Sequence, residues 1–432
     1  MKRLLLTSAS ALLLTSVSVA QPPNVGRWTN DLASPQPQGY SQGSPAVITW
    51  GFMQLNTPIN DGNNAPNNLQ TFLNGIYGGG QAQWQPLFQS VFDRWSAVSG
   101  VSYVFEANDD GQAMTNTSGS PAGSLGIRPD IRIGGKLIDG NSNVLAYNYG
   151  PNHGDMVIDT GDNFYSNNLA NNSRALRNVV AHEHGHGLGM PHLESNNASF
   201  LMEPFINLGF DGPQHHDILA AHRSYGDFNE KSFAGQGNDV FGRATAMGNI
   251  AVGNSASVGN SARTLVVAPT AVDFVSIDGS SDTDFYSFSV TSASRVDVLL
   301  EALGFNYNAT PQNGGGNVAW STLDRSNLAL ALFDTDGITL LASANLTGLG
   351  GNESLFFILN AAGTYFVRVT GTDNPDASAL DTQFYGLTVS ISAIPEPMAV
   401  ALVGIAGLGG AGSWWYRRRQ RQLLMNQSVD RI

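Results

Sequence analysis

AHEHGHGLGMPH, residues 181–192, gathers four of the chain's eight histidines and one glutamate. His182 and His186 are four apart, so on a helix they stand one turn above each other and can share one ion. Glu183 lies about 100° further round the helix, off the ligand line but able to face a water on that ion. His184, two steps on from His182, points nearly the opposite way. The helix is expected to start at Asn172 or Ser173, both good N-caps, and to stop at Gly187 or Gly189, where glycine tolerates a left-handed turn. That turn lets the chain swing back and bring His192 to the same ion. Three neutral imidazoles leave one position open, an arrangement that suits zinc. A zinc-activated water with Glu183 as general base, later passing the proton to a leaving amine, hydrolyses peptide bonds. The bland alternative is a cluster of surface histidines.

The pattern HExxHxxGxxH is met in full by His182, Glu183, His186, Gly189 and His192, and it resembles the zinc motif of the metzincin proteases. The resemblance implies an α+β catalytic domain, a mixed twisted sheet with long helices. It also implies a Met-turn at Met202, in SFLMEP, packing beneath the metal without ligating it; read alone, Met202 is core filler. Among metzincins the surroundings are most similar to the matrixins: HGLGMPH at the helix exit, LMEP at the turn and HDILAAHRSYG as a last helix, with DIRIG, IDGNSNVLA and HGDMVIDTGD upstream in the family's order. Most of residues 46–227 is covered. The chain departs from the family at Glu203, where a tyrosine is usual, and in lacking any cysteine for a thiol latency switch.

The same resemblance implies structural calcium. Asp139, Asp159 and Asp162 match one site, with backbone oxygens near Gly140 and Ser142, and Asp130 with Asp155 matches another; hard oxygen ligands suit calcium. The alternative is ordinary loop aspartates in Asx turns. The family's second, structural zinc is not expected, because Tyr147 and Val157 stand at two of its histidine positions and the loop between Ile133 and Ile138 is too short to supply the rest.

A chain of 432 residues can hold two or three domains. With charged residues at only 13% and 49 glycines, turns and short strands are favoured. A formal net charge of −13 leaves no large basic surface, so nucleic acid is excluded as a partner. The absence of cysteine removes disulfides, thiolate ligands and a thiol nucleophile together.

Residues 228–265 are small, polar and without strong periodicity, and read as a linker or loosely packed approach. In residues 266–392 short alternating or apolar runs return between Gly/Asp turns, the pattern of an all-β sandwich. This segment resembles the bacterial pre-peptidase C-terminal domain in Asp284-Phe285-Tyr286-Ser287-Phe288, in residues 330–337 and 363–369, and in Tyr385, Leu387 and Val389.

Both ends read as addresses. Residues 1–20 have Lys2, Arg3, an apolar stretch and small residues at Ser18 and Ala20, the layout of a secretory signal peptide, which places the mature domain at residues 21–227; a short core helix is the alternative. In residues 393–432, Pro395, Glu396 and Pro397 precede an uncharged span at 398–416, read as a single transmembrane helix, and then Arg417, Arg418, Arg419 and Arg421. This order resembles the PEP-CTERM sorting tail of Gram-negative bacteria. It implies cleavage by an exosortase-type enzyme after transient anchoring in the inner membrane, and delivery to the cell surface or an exopolysaccharide matrix; a plain anchor is the alternative. The sequence therefore points to an exported zinc endopeptidase acting on polypeptides. The rival from another class is a non-catalytic matrix or adhesion protein, against which the retention of Glu183 argues. In a third reading, function depends chiefly on the sandwich as a carbohydrate- or protein-binding module.

Overall fold

The computed structural model describes residues 26–29, 41–116, 121–141, 143–312, 318–373 and 382–394. Residues 1–20, Ser142, the Pro395, Glu396 and Pro397 tripeptide and the span at 398–416 lie outside the described residues. Among the described residues no helix is long and apolar enough to cross a membrane.

The first half is built on a five-stranded sheet. Its order is Val101–Phe105, Ala46–Phe52, Ile131–Lys136, Met156–Asp159 and Ala146–Asn148. The first four run parallel, and Ala146–Asn148 pairs antiparallel at the edge. The inner strands are buried nearly throughout, as parallel strands covered by helices are. Helix Gln81–Ala97 turns Trp84, Phe88, Phe92 and Trp95 onto the sheet, a stripe at helical spacing. Phe92 stacks on Trp50 at 4.3 Å, and the Trp95 indole N–H donates to the Ala181 carbonyl at 3.2 Å. These contacts seat the histidine helix, Ala170–Gly187, beside Gln81–Ala97.

The start of that helix differs from expectation. Asn171, Asn172 and Ser173 do not cap it; they form a left-handed turn with φ of 55°, 54° and 52°. Asparagine tolerates this region better than most residues. Arg177 holds the turn by donating to the carbonyls of Asn172 and Asn171 at 2.9 and 3.1 Å while pairing with Asp211 at 2.6 Å.

The second half is a two-sheet sandwich. One sheet orders Thr245–Asn249, Thr283–Val290, Gly363–Asp373, Ser326–Phe333 and Leu340–Ala344; the other orders Ser255–Val258, Gln383–Ser392, Ser294–Leu303 and Glu353–Leu359. Alternate residues such as Tyr286, Phe288, Val296, Val298, Leu330, Val367 and Leu387 fill the space between. The reading of residues 228–265 as a loose linker is corrected here: Thr245–Asn249 and Ser255–Val258 are edge strands of the two sheets. Edge pairing relies on backbone hydrogen bonds, so small polar residues can do it without the alternation that betrays a strand.

The two halves share an apolar junction of Val98, Ile218 and Leu219 with Val267, Phe274, Leu303 and Phe384. From the sandwich a hairpin, Asn306–Pro311 and Val318–Ser321, reaches across it. Its first strand pairs antiparallel with Leu193–Ser195, matching Ala309 to Ser195, Thr310 to Glu194 and Pro311 to Leu193.

Candidate metal centre

The histidine helix ends in a Schellman arrangement: the Met190 N–H donates to the Gly185 carbonyl and the Gly189 N–H to that of His186, both at 2.9 Å. Gly189 takes φ of 101°, the positive value that the return of His192 requires. Below this exit Trp28 is buried, its indole N–H donating to the Gly187 carbonyl at 2.9 Å and its backbone N–H to the Tyr225 hydroxyl at 3.2 Å.

The three expected ligands converge. The Nε2 atom of His182 lies 3.0 Å from that of His192 and 3.1 Å from that of His186. Each Nδ1 faces an oxygen at 2.6 Å: the Leu201 carbonyl for His182, the Met190 carbonyl for His186 and Oε1 of Gln312 for His192. Carbonyl oxygens only accept, so every Nδ1 carries the proton and every Nε2 presents a lone pair to the shared point. Burial, followed by the repulsion of like charge, holds His182 down to about 3 and His186 well below its usual range; burial also lowers His192. Three lone pairs this close, on imidazoles that resist protonation, repel unless a cation lies among them. The donor set, three neutral nitrogens, fits zinc. His184 points away as expected, its Nε2 2.5 Å from the Tyr103 hydroxyl and its ring against Phe92.

Glu183 is fully buried beside the triad, and its Oε2 has no protein partner among the described residues. Burial alone pushes its carboxyl up to about 8. Such a group readily gains and gives a proton near neutral pH.

Met202 packs under the triad. A Cβ added to Gly185, between His182 and His186, would lie 2.4 Å from the Met202 sulfur. The turn is held by Asp217, whose carboxylate accepts from the N–H groups of Leu201 at 2.8 Å and Met202 at 3.2 Å while also capping its own helix, His215–Tyr225. Burial pushes Asp217 up to about 6 against the pull of these donors. Glu203, the departure from the family pattern, accepts from the Ser195 N–H at 2.9 Å and from the Ser195 hydroxyl, tying the turn to the strand after His192.

Among the described residues Asp139, Asp159 and Asp162 do not form a group of three converging carboxylates. Asp159 accepts from the backbone N–H groups of Ile138, Asp139, Gly140 and Gly161 at 2.7–3.1 Å. Asp139 accepts from Asn143 and Val144, and Asp162 from Phe164. Asp130 accepts from the N–H and hydroxyl of Thr49, and Asp155 from the Arg132 N–H, all at 2.9 Å. Tyr147 and Val157 face each other across paired strands. Beside them Lys136, buried, pairs with Asp61 at 2.6 Å, and the Tyr147 hydroxyl donates to the same carboxylate.

Reasoning from sequence missed Asp217 and Gln312. Gln214 and Asp217 have capping-box spacing, a signal that could have found the first; nothing local marks the second. It also missed an acidic group at the domain junction, where Glu230, Asp239 and Asp282 each bring one oxygen within 4.8 Å of the others. Burial and mutual repulsion push Glu230 up to about 11 and Asp282 to about 6.

Residues 79–226 match the Matrixin family model, and residues 282–371 match that of the bacterial pre-peptidase C-terminal domain. No curated protein matches the chain. Similar solved structures include the pre-peptidase C-terminal domain of a collagenase from Bacillus anthracis, at 18% identity over 34% of this chain and 96% of that one, with a TM-score of 0.19. They also include PliG of Aeromonas hydrophila, a periplasmic inhibitor of g-type lysozyme, at 16% identity over 34% and 99%, with a TM-score of 0.18. The chain carries a matrixin domain, the mark of a zinc metallopeptidase, joined to a pre-peptidase C-terminal domain.

Proposed function

We propose that the chain is an exported zinc endopeptidase in which Glu183 is the general base. The observation that carries this reading is the buried Glu183 carboxyl, whose Oε2 has no protein partner among the described residues, next to three imidazoles whose Nδ1 protons are all committed elsewhere. His182, His186 and His192 would hold zinc, which would supply Lewis acidity toward a peptide carbonyl and a water. Glu183 accepts the proton and delivers it to the leaving amine, a transfer favoured by a carboxyl whose burial brings its affinity for protons near neutrality. Met202 and Asp217 keep the floor of the site in place. Zymography of residues 21–392, with and without a zinc chelator, tests the reading: chelator-sensitive clearing is expected. An absence of cleavage by zinc-loaded protein would favour the non-catalytic matrix or adhesion protein.

The rest of the proposal is delivery. Export through residues 1–20, and exosortase-type processing at Pro395, Glu396 and Pro397 that leaves the enzyme at the surface or in exopolysaccharide, rest on the sequence resemblance. Mass spectrometry of surface material tests them, since processed protein lacks residues 414–432. Structural calcium at Asp139, Asp159 and Asp162, and at Asp130 with Asp155, likewise rests on the sequence resemblance.

A further inference from the structure

Two of the three ligand imidazoles find their Nδ1 acceptors within the matrixin domain, in the Leu201 and Met190 carbonyls; the third does not. His192 donates to Oε1 of Gln312, 120 residues away and on the hairpin that the sandwich extends. We propose that Gln312 is a positioning residue of the metal centre, and that the sandwich thereby completes the zinc site instead of merely accompanying it. This inference rests on the reading of His182, His186 and His192 as zinc ligands.

The placement of Gln312 is built. Its strand, Asn306–Pro311, pairs in register with Leu193–Ser195, the segment directly after His192, so the two strands cannot slip without moving ligand and acceptor together. Tyr307, Ala309 and Trp320 of the hairpin bury against Leu193 and Phe200 of the matrixin domain. The Tyr307 ring lies 5.0 Å from Phe200, and its hydroxyl meets Nδ1 of His216. Gln312 follows this anchored strand by one residue. His192 is the ligand that most needs such help. His182 and His186 sit on one helix, whereas His192 stands on the loop beyond it, where the Gln312 bond fixes both its tautomer and the direction of Nε2. A neutral amide also leaves the imidazole neutral and the centre without added negative charge.

The test measures zinc affinity in the full-length protein by competition with a chromophoric chelator, alongside the melting temperature of the metal-free form. Gln312→Met keeps the side-chain length and removes the strong acceptor; it is expected to weaken zinc binding roughly 10- to 100-fold, as loss of a ligand's outer partner does, with the metal-free melting temperature unchanged. Gln312→Glu accepts the same hydrogen bond more strongly and should restore or exceed the native affinity. Native affinity in Gln312→Met, or a loss that Gln312→Glu fails to restore, overturns the assignment. If the unaltered protein binds no zinc, the ligand reading itself has failed; the two failures are thus told apart.

Discussion

Two parts of the matrixin domain collect metal-binding residue types, and they use them in opposite ways. At the histidine centre each side chain spends its Nδ1 on a protein oxygen, so the Nε2 that faces the shared point is free. In the loop around Asp159 the carboxylate oxygens themselves accept from backbone N–H groups. The residue types alone do not separate a ligand from a turn-former; where the other hydrogen bonds go does.

The contrast can be attacked at its chemical end first. Glu183→Gln should keep stoichiometric zinc and lose about 10²- to 10⁴-fold in peptide cleavage, read by turnover and elemental analysis together. Full turnover in that variant would sink the mechanism. Next comes the backing of the centre. Asp217→Ala strands the N–H groups of Leu201, Met202 and Gln214 in a buried place, so a loss on the order of 3 kcal/mol in urea unfolding is expected. A neutral result there would mean that the Met-turn holds itself.

Gly185→Ala tests the packing beneath the metal. Its methyl would press on the Met202 sulfur, and a cost of about 1–3 kcal/mol should appear as a lowered melting temperature. Pairing it with Met202→Ala should recover part of that loss, because the clash is then relieved. The smallest effect is expected at the loop. Asp159→Ala should destabilise the metal-free protein by about 0.5–1.5 kcal/mol, and millimolar calcium should raise the melting temperature of the native protein but not of the variant. A native melting temperature indifferent to calcium and its chelators would leave Asp159 a turn-former alone.

The ligand set was readable from sequence because it is local. A separation of four fixes His182 over His186, a separation of two turns His184 onto the Phe92 side, and Gly189 marks the exit. The supporting acceptors were not readable, since Leu201 and Gln312 meet the imidazoles through register between distant segments, which no periodicity encodes. The sandwich strands showed through their alternation, as in Gln383–Ser392; Thr245–Asn249 and Ser255–Val258 did not, because edge strands of small residues carry no such alternation. The calcium expectation is a different case. Aspartate is equally suited to binding an ion and to collecting N–H groups, and only the backbone path between Ile138 and Gly161 decides between them.

Trp28 also sets an order of assembly. The helix bearing His182 and His186 is local and can form as soon as it is synthesised, whereas Trp28 must wait for Gly187, 159 residues downstream, and for Tyr225, 197 residues downstream. Closing loops of that size is entropically slow, so contacts of this span come late in folding. In a chain emerging from its N-terminus, one of the first large side chains to appear is therefore among the last of this domain to dock. Until Tyr225 arrives, the exit of the histidine helix stays unsealed.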